Sequence, residues 1–207
     1  MTAVRSPRSR RAAVTVAVAT AATLALSSCG DEEDTGTRTP ESPPATETAE
    51  GLHNQADTDF AQDMIPLGRQ AVHMSELARD RAEDERVAEL AESVRESRGQ
   101  EIDTLTGWLE SWDEQIPREG HGPGHEDDGH GPGMMDDRQL DDLRRATGGT
   151  FDTMYLTMMI EHHKRAVEVA ETERDRGFYG PATDLAEDIV TTRSAEIDEM
   201  RRLLEAR

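Results

Sequence analysis

Residues 158–170 read MMIEHHKRAVEVA and set two methionines three to five residues ahead of two adjacent histidines, His162 and His163. Thioether with imidazole suits copper, Cu(I) above all, better than calcium or magnesium. Zinc would normally require thiolate or carboxylate as well. On a helix, Met158 lies one turn from His162 and Met159 one turn from both histidines, so the side-chain tips share a face. Advancing about 100° per residue gathers Tyr155, Met158, Met159, Ala166, Val169 and Ala170 on one arc, with Thr153, Thr157, Glu161, Lys164 and Glu168 opposite. Both histidines fall within the apolar arc, although their charged neighbours take the wet side. A histidine on a core face is ordinarily just hydrogen-bonded, and methionines at helical spacing ordinarily pack. The spacing alone leaves ligand cluster and core helix equally open.

A looser set occupies residues 121–137, HGPGHEDDGHGPGMMDD, where His121, His125, His130, Met134 and Met135 stand beside Glu126, Asp127 and Asp128. A histidine-rich tract is a weak metal signal, and a solvated linker explains it equally well. Glycine and proline forbid regular structure there. His73 falls on a polar helix face and His53 at the start of the fold.

The elements that must position these side chains follow from an internal repeat. Shifted by 95, residues 57–109 fall on 152–204 without a gap, with 18 identities in 53 pairs. Met64-Ile65 meets Met159-Ile160, RDR (79–81) meets RDR (174–176), and EID (101–103) meets EID (196–198). The folded region is therefore a duplication. Where the second copy has His162 and His163, the first has Leu67 and Gly68, so Met64 is the only counterpart ligand there. Each copy reads as two helices. The first are expected near 55–80 and 150–176. In the second helices, Val87, Leu90, Val94, Ile102, Leu105 and Leu109, and again Leu185, Ile189, Ile197, Met200 and Leu204, keep three-and-four spacing. A short helix is expected at 137–147. No alternating β-branched run suggests a strand outside the N-terminal segment. Two αα-hairpins can bury such stripes only against each other, which predicts an all-α four-helix bundle. Arg98 and Arg193, matched by the repeat, sit on apolar stripes and need buried partners. Asp57/Asp152 and Glu101/Glu196 are the repeat-matched candidates.

Residues 1–28 carry Arg5, Arg8, Arg10 and Arg11, an apolar run, and then Leu26-Ser27-Ser28-Cys29. This pattern is a signal peptide whose end resembles a lipobox, so Cys29, the only cysteine, is the expected lipid attachment point and membrane anchor. Residues 29–51, rich in Pro, Thr and Glu, read as a disordered tether. The folded domain is expected over 52–207, with copy one at 52–112, a linker at 113–149 and copy two at 150–207. Cleavage before Cys29 removes four of the 23 basic residues and none of the 44 acidic ones, which leaves a net charge of −25. Such a surface excludes nucleic acid as a partner and attracts cations.

The stretches HNQADTDFAQDMIP (53–66), GMM (133–135), TGGTFDTMYLTMMIEHHKRAV (147–167) and EIDEM (196–200) resemble domain-of-unknown-function family 305, from bacterial exported proteins. The resemblance implies a ferritin-like four-helix bundle and, by analogy with some members, copper binding and tolerance. It also implies a histidine pair in both halves, where Leu67 and Gly68 now stand, and a methionine after the pair, where the second copy has Val169 and the first keeps Met74. The expected role is non-enzymatic, because no nucleophile–base set is legible and no predicted helix carries the Glu-x-x-His of di-iron bundles. Two readings follow. One is an envelope lipoprotein that holds copper through His162, His163, Met158, Met159 and Met64. The other is a scaffold or partner-binding lipoprotein with a degenerate site.

Overall fold

The computed structural model describes residues 52–118 and 133–207. The signal peptide, Cys29, the tether, His121, His125 and His130 lie outside the described residues. The described residues form five helices and no strand: α1 (Gln55–Arg81), α2 (Glu85–Ser111), α3 (Asp137–Arg145), α4 (Gly148–Arg176) and α5 (Gly180–Glu205). Helices α1 and α2 make one hairpin, α4 and α5 the other, and α1 packs on α4 to join them. The short α3 is the helix expected near 137–147.

Local sequence explains the ends of these helices. Asn54 caps α1 by accepting from the backbone N–H groups of Ala56 and Asp57, while the Asp57 carboxylate accepts from the Asn54 N–H at 2.6 Å. Such a box satisfies donors that a helix start leaves free. Asp84 caps α2, and Asp136 with Gln139 forms a second box on α3. Pro181 sits in the first turn of α5, where its missing N–H costs nothing. Pro66 lies inside α1 and does not end it.

Two apolar clusters fill the bundle. One joins Ala71, Met74 and Ala78 of α1 to Val87–Val94 of α2, Phe151–Ile160 of α4 and Ile197–Leu203 of α5. The other joins Phe60–Leu67 to Leu105, Leu109, Ala166–Ala170 and Ala182–Ile189. On every long helix the two clusters leave a gap, and the gaps coincide at Gly68, Arg98, His162, His163 and Arg193. A polar layer therefore crosses the middle of the bundle. On α5 the stripe runs through Leu203, which is buried, whereas Leu204 is only partly so.

The duplication is written into the contacts between the halves. Asp57 accepts from the N–H groups of Phe178 and Tyr179 in the α4–α5 turn, at 3.0 and 2.9 Å. Its repeat mate Asp152 accepts from those of Glu83 and Asp84 in the α1–α2 turn, at 3.2 and 3.0 Å. Shifting 83 and 84 by 95 gives 178 and 179, so each half ties down the other's turn. These aspartates are thus turn clasps and do not partner Arg98 or Arg193. Asp152→Ala leaves turn N–H groups without a partner and should cost about 1–3 kcal/mol. Urea unfolding should show a lower midpoint at an unchanged slope; an unaltered midpoint would remove the clasp role.

Candidate metal centre

Helix α4 carries His162 and His163 into the central layer, where they are 3% and 1% exposed. Their ring centroids lie 6.1 Å apart at 57°. His163 Nε2 lies 2.8 Å from Glu196 Oε2 on α5. Arg98 of α2 donates to both oxygens of the same carboxylate, at 3.0 and 3.1 Å. It also reaches Glu101 at 3.1 Å, and Arg193 of α5 donates to Glu101 at 2.5 Å. The buried arginines thus take the glutamates of the opposite copy, Arg98 with Glu196 and Arg193 with Glu101.

The histidines themselves are under-satisfied. Both ring nitrogens of His162, and Nδ1 of His163, are buried without a hydrogen-bond partner. The Leu67 carbonyl faces His162 and the Met159 carbonyl faces His163, but neither reaches bonding geometry. Burial, with His163 and Arg98 adding to it, pushes His162 down to about 3. Burial likewise lowers His163, against the pull of Glu196. For Glu196, burial acts upward, but the His163 bond and Arg98 outweigh it and hold the carboxyl below its ordinary value. Both imidazoles are therefore neutral, with lone pairs in a dry interior. Unsatisfied buried polar atoms are uncommon and call for an explanation. A bound soft cation supplies one, so the residues present fit such an ion.

Met158 and Met159 are buried one turn before the histidines, in the cluster toward the α4 N-terminus. Met64 is buried in the other cluster, with Leu67, so the histidine layer separates the methionines of the two copies. Met135 is buried, and its backbone N–H and carbonyl both bond the Gln70 side chain of α1, at 2.8 and 2.9 Å. Met134 packs, partly buried, on the second cluster. His53 stacks on Trp112 at 4.3 Å, and His73 lies 3.4 Å from the Arg144 guanidinium, so each has a structural partner away from the layer. Among the described residues no three His, Cys, Asp or Glu side chains converge as a preformed site.

In copy one the place of the histidine pair is closed. Leu67 is buried, and a Cβ on Gly68 would stand 2.9 Å from Ile102 Cγ1, so glycine is what lets α2 approach α1 here. Sequence pattern alone named Glu196 only as a partner for arginine, not for His163. The clue available was the loss of the histidine at Gly68 alongside retention of Glu101, its would-be acceptor.

Residues 57–204 match the family described as Domain of unknown function (DUF305). The chain belongs to this family. A putative secreted DUF305 protein from Streptomyces coelicolor is 32% identical at a TM-score of 0.66, covering 73% of this chain and 93% of that one. CopM in its Cu(II)-bound form is 29% identical at a TM-score of 0.63, covering 72% of this chain and 96% of CopM. In its Cu(I)-bound form the values are 27% and 0.60, over 72% and 96%. No curated protein matches. Metal binding thus occurs among structures similar to this chain, and the all-α bundle is that of the DUF305 neighbours.

Proposed function

We propose that this chain is an exported, non-catalytic metal-binding protein of the cell envelope, holding copper for sequestration or tolerance. The observation that carries this is the pair of neutral, buried imidazoles with three nitrogens lacking any partner, one turn after two buried methionines. His162 and His163 are the principal ligands, with Met158, Met159 and Met64 as thioether donors and Met134 and Met135 as accessory ones. Relatives described as copper-bound and as secreted support both the metal and the export. A lipid on Cys29 would keep the domain at the membrane, and its net charge of −25, once four arginines leave with the signal peptide, would concentrate cations there.

A second reading, a scaffold that has lost its metal, draws on the closed counterpart at Leu67 and Gly68. One titration separates them. The protein should bind Cu(I) in competition with a chromophoric chelator, and His162→Ala/His163→Ala should abolish that binding while the helical signal persists. No binding by wild type would favour the scaffold, and equal binding by wild type and double variant would put the metal away from the histidine pair.

A further inference from the structure

The carboxylate closest to the histidine pair is already committed. Arg98, 2% exposed, donates to both oxygens of Glu196, so Glu196 is ionised and has no proton to offer. In the 2.8 Å contact with His163, the imidazole must then be the donor, through Nε2–H. A neutral ring protonated on Nε2 carries its lone pair on Nδ1, and that atom is the one left buried and unpaired. Carboxylates that fix the tautomer of a ligating histidine are a recurring device in metal sites.

The charge count points the same way. Two guanidiniums, Arg98 and Arg193, face two carboxylates, Glu101 and Glu196, and each carboxylate is bonded to at least one guanidinium. No anionic donor is left over for an ion. The remaining donors, imidazole nitrogen and thioether sulfur, are all neutral. The cost of placing an ion in a poorly polar interior grows with the square of its charge, so a dication without an anionic ligand is heavily penalised. Imidazole also serves divalent zinc and copper, but thioether selects the soft monovalent ion, so the methionines tip the donor set the same way.

We propose that the Arg98–Glu196 pair restricts the site to a monovalent soft cation, Cu(I) or Ag(I), by keeping its carboxylate from the ion and presenting His163 through Nδ1. This presupposes that the histidine pair is the metal centre. Glu196 is a positioning residue: it touches the ligand, not the ion.

Silver(I) and zinc(II) are suitable probes, since neither changes oxidation state during the experiment. Nitrogen-15 spectra of the metal-free protein should show His163 protonated on Nε2 and bare on Nδ1. Adding Ag(I) should move Nδ1 of His163 and leave Nε2 protonated. In competition titrations Ag(I) should bind on the order of 100-fold more tightly than Zn(II). Glu196→Gln should weaken Ag(I) binding about 10–100-fold. Arg98→Leu, which releases the Glu196 carboxylate, should narrow the gap between Ag(I) and Zn(II) at least tenfold. If Arg98→Leu does not fold, the wild-type spectra and the Ag(I)/Zn(II) ratio still decide. A proton on Nδ1 in the metal-free protein, ligation through Nε2, or Zn(II) binding within tenfold of Ag(I) would overturn the proposal while leaving the histidine pair as a metal centre. Silence of both histidines towards both ions would overturn the metal centre itself.

Discussion

Replacing Arg193 with methionine should destabilise the bundle by about 3–5 kcal/mol, the usual cost of removing one partner from a buried ion pair. Arg193 is 2% exposed and lies between the two apolar clusters, where its guanidinium bonds Glu101 across the interface between the copies. Without it, Glu101 is left to Arg98 alone, and Arg98 already serves Glu196. The glutamate then keeps most of its desolvation cost with half of its compensation. Arg193→Met/Glu101→Met should recover most of the loss, because a buried pair replaced by apolar side chains of similar bulk is often near neutral. A double-mutant cycle by urea unfolding gives the coupling directly. A single-variant cost under about 1 kcal/mol, or losses that simply add, would mean that these pairs do not hold the halves together.

The ion pairs also mark where sequence stops being informative. The gapless shift of 95 and the three-and-four stripes carry the helices, the hairpins and the bundle, because periodic burial is a local property of the chain. The gaps in those stripes, at Gly68, Arg98, His162, His163 and Arg193, were visible as anomalies. Their pairing was not. Which glutamate meets which arginine depends on the antiparallel placement of α2 against α5, a relation no single helix encodes. The same holds for Asp57 and Asp152, which clasp turns and so are not spare for the arginines. Once the repeat is laid over the contacts, the links that cross between copies appear twice, with the copies exchanged, whereas the Arg98–Glu101 pair within α2 has no counterpart between Arg193 and Glu196. The histidine layer is the clearest exception: Glu196 has His163, whereas the repeat mate of His163 is Gly68 and Glu101 is met by arginines alone. A glutamate without its histidine, where the other copy keeps both, locates the asymmetry more sharply than the missing letters do.

A second break in that reciprocity should make stability depend on pH. Glu173, near the end of α4, is fully buried, and its repeat mate is Ala78. Neither of its oxygens has an ordinary donor, and Gly177 lies so close that any side chain there would collide with the carboxyl. Its neighbour is Asp57. Burial, with the Asp57 contact adding to it, pushes Glu173 up to about 8. For Asp57, burial acts upward, but the bond from Glu173 and those from the Asn54, Tyr179 and Phe178 N–H groups hold it below its ordinary value. Near neutral pH the pair thus shares one proton, with Glu173 donating and Asp57 accepting. A carboxyl raised on folding takes up a proton as the chain folds. Its contribution is complete below the unfolded value and is lost as pH rises through the folded one, at up to about 1.4 kcal/mol per pH unit. Asp57 acts in the opposite sense, contributing above its unfolded value and losing that contribution as pH falls through the lowered folded one. The urea midpoint should therefore fall from pH 5.5 to about 8 and then level off. Glu173→Gln keeps a donor for Asp57 and cannot ionise, so its midpoint should fall less than that of wild type over that range and exceed it at high pH, the remaining fall belonging to Glu101, which burial pushes up to about 7. In the mirrored clasp Asp152 is met instead by the Arg207 guanidinium at 2.7 Å, and the place of Glu173 is taken by Ala78. Parallel pH profiles for wild type and Glu173→Gln would show that the buried carboxyl does not hold the shared proton.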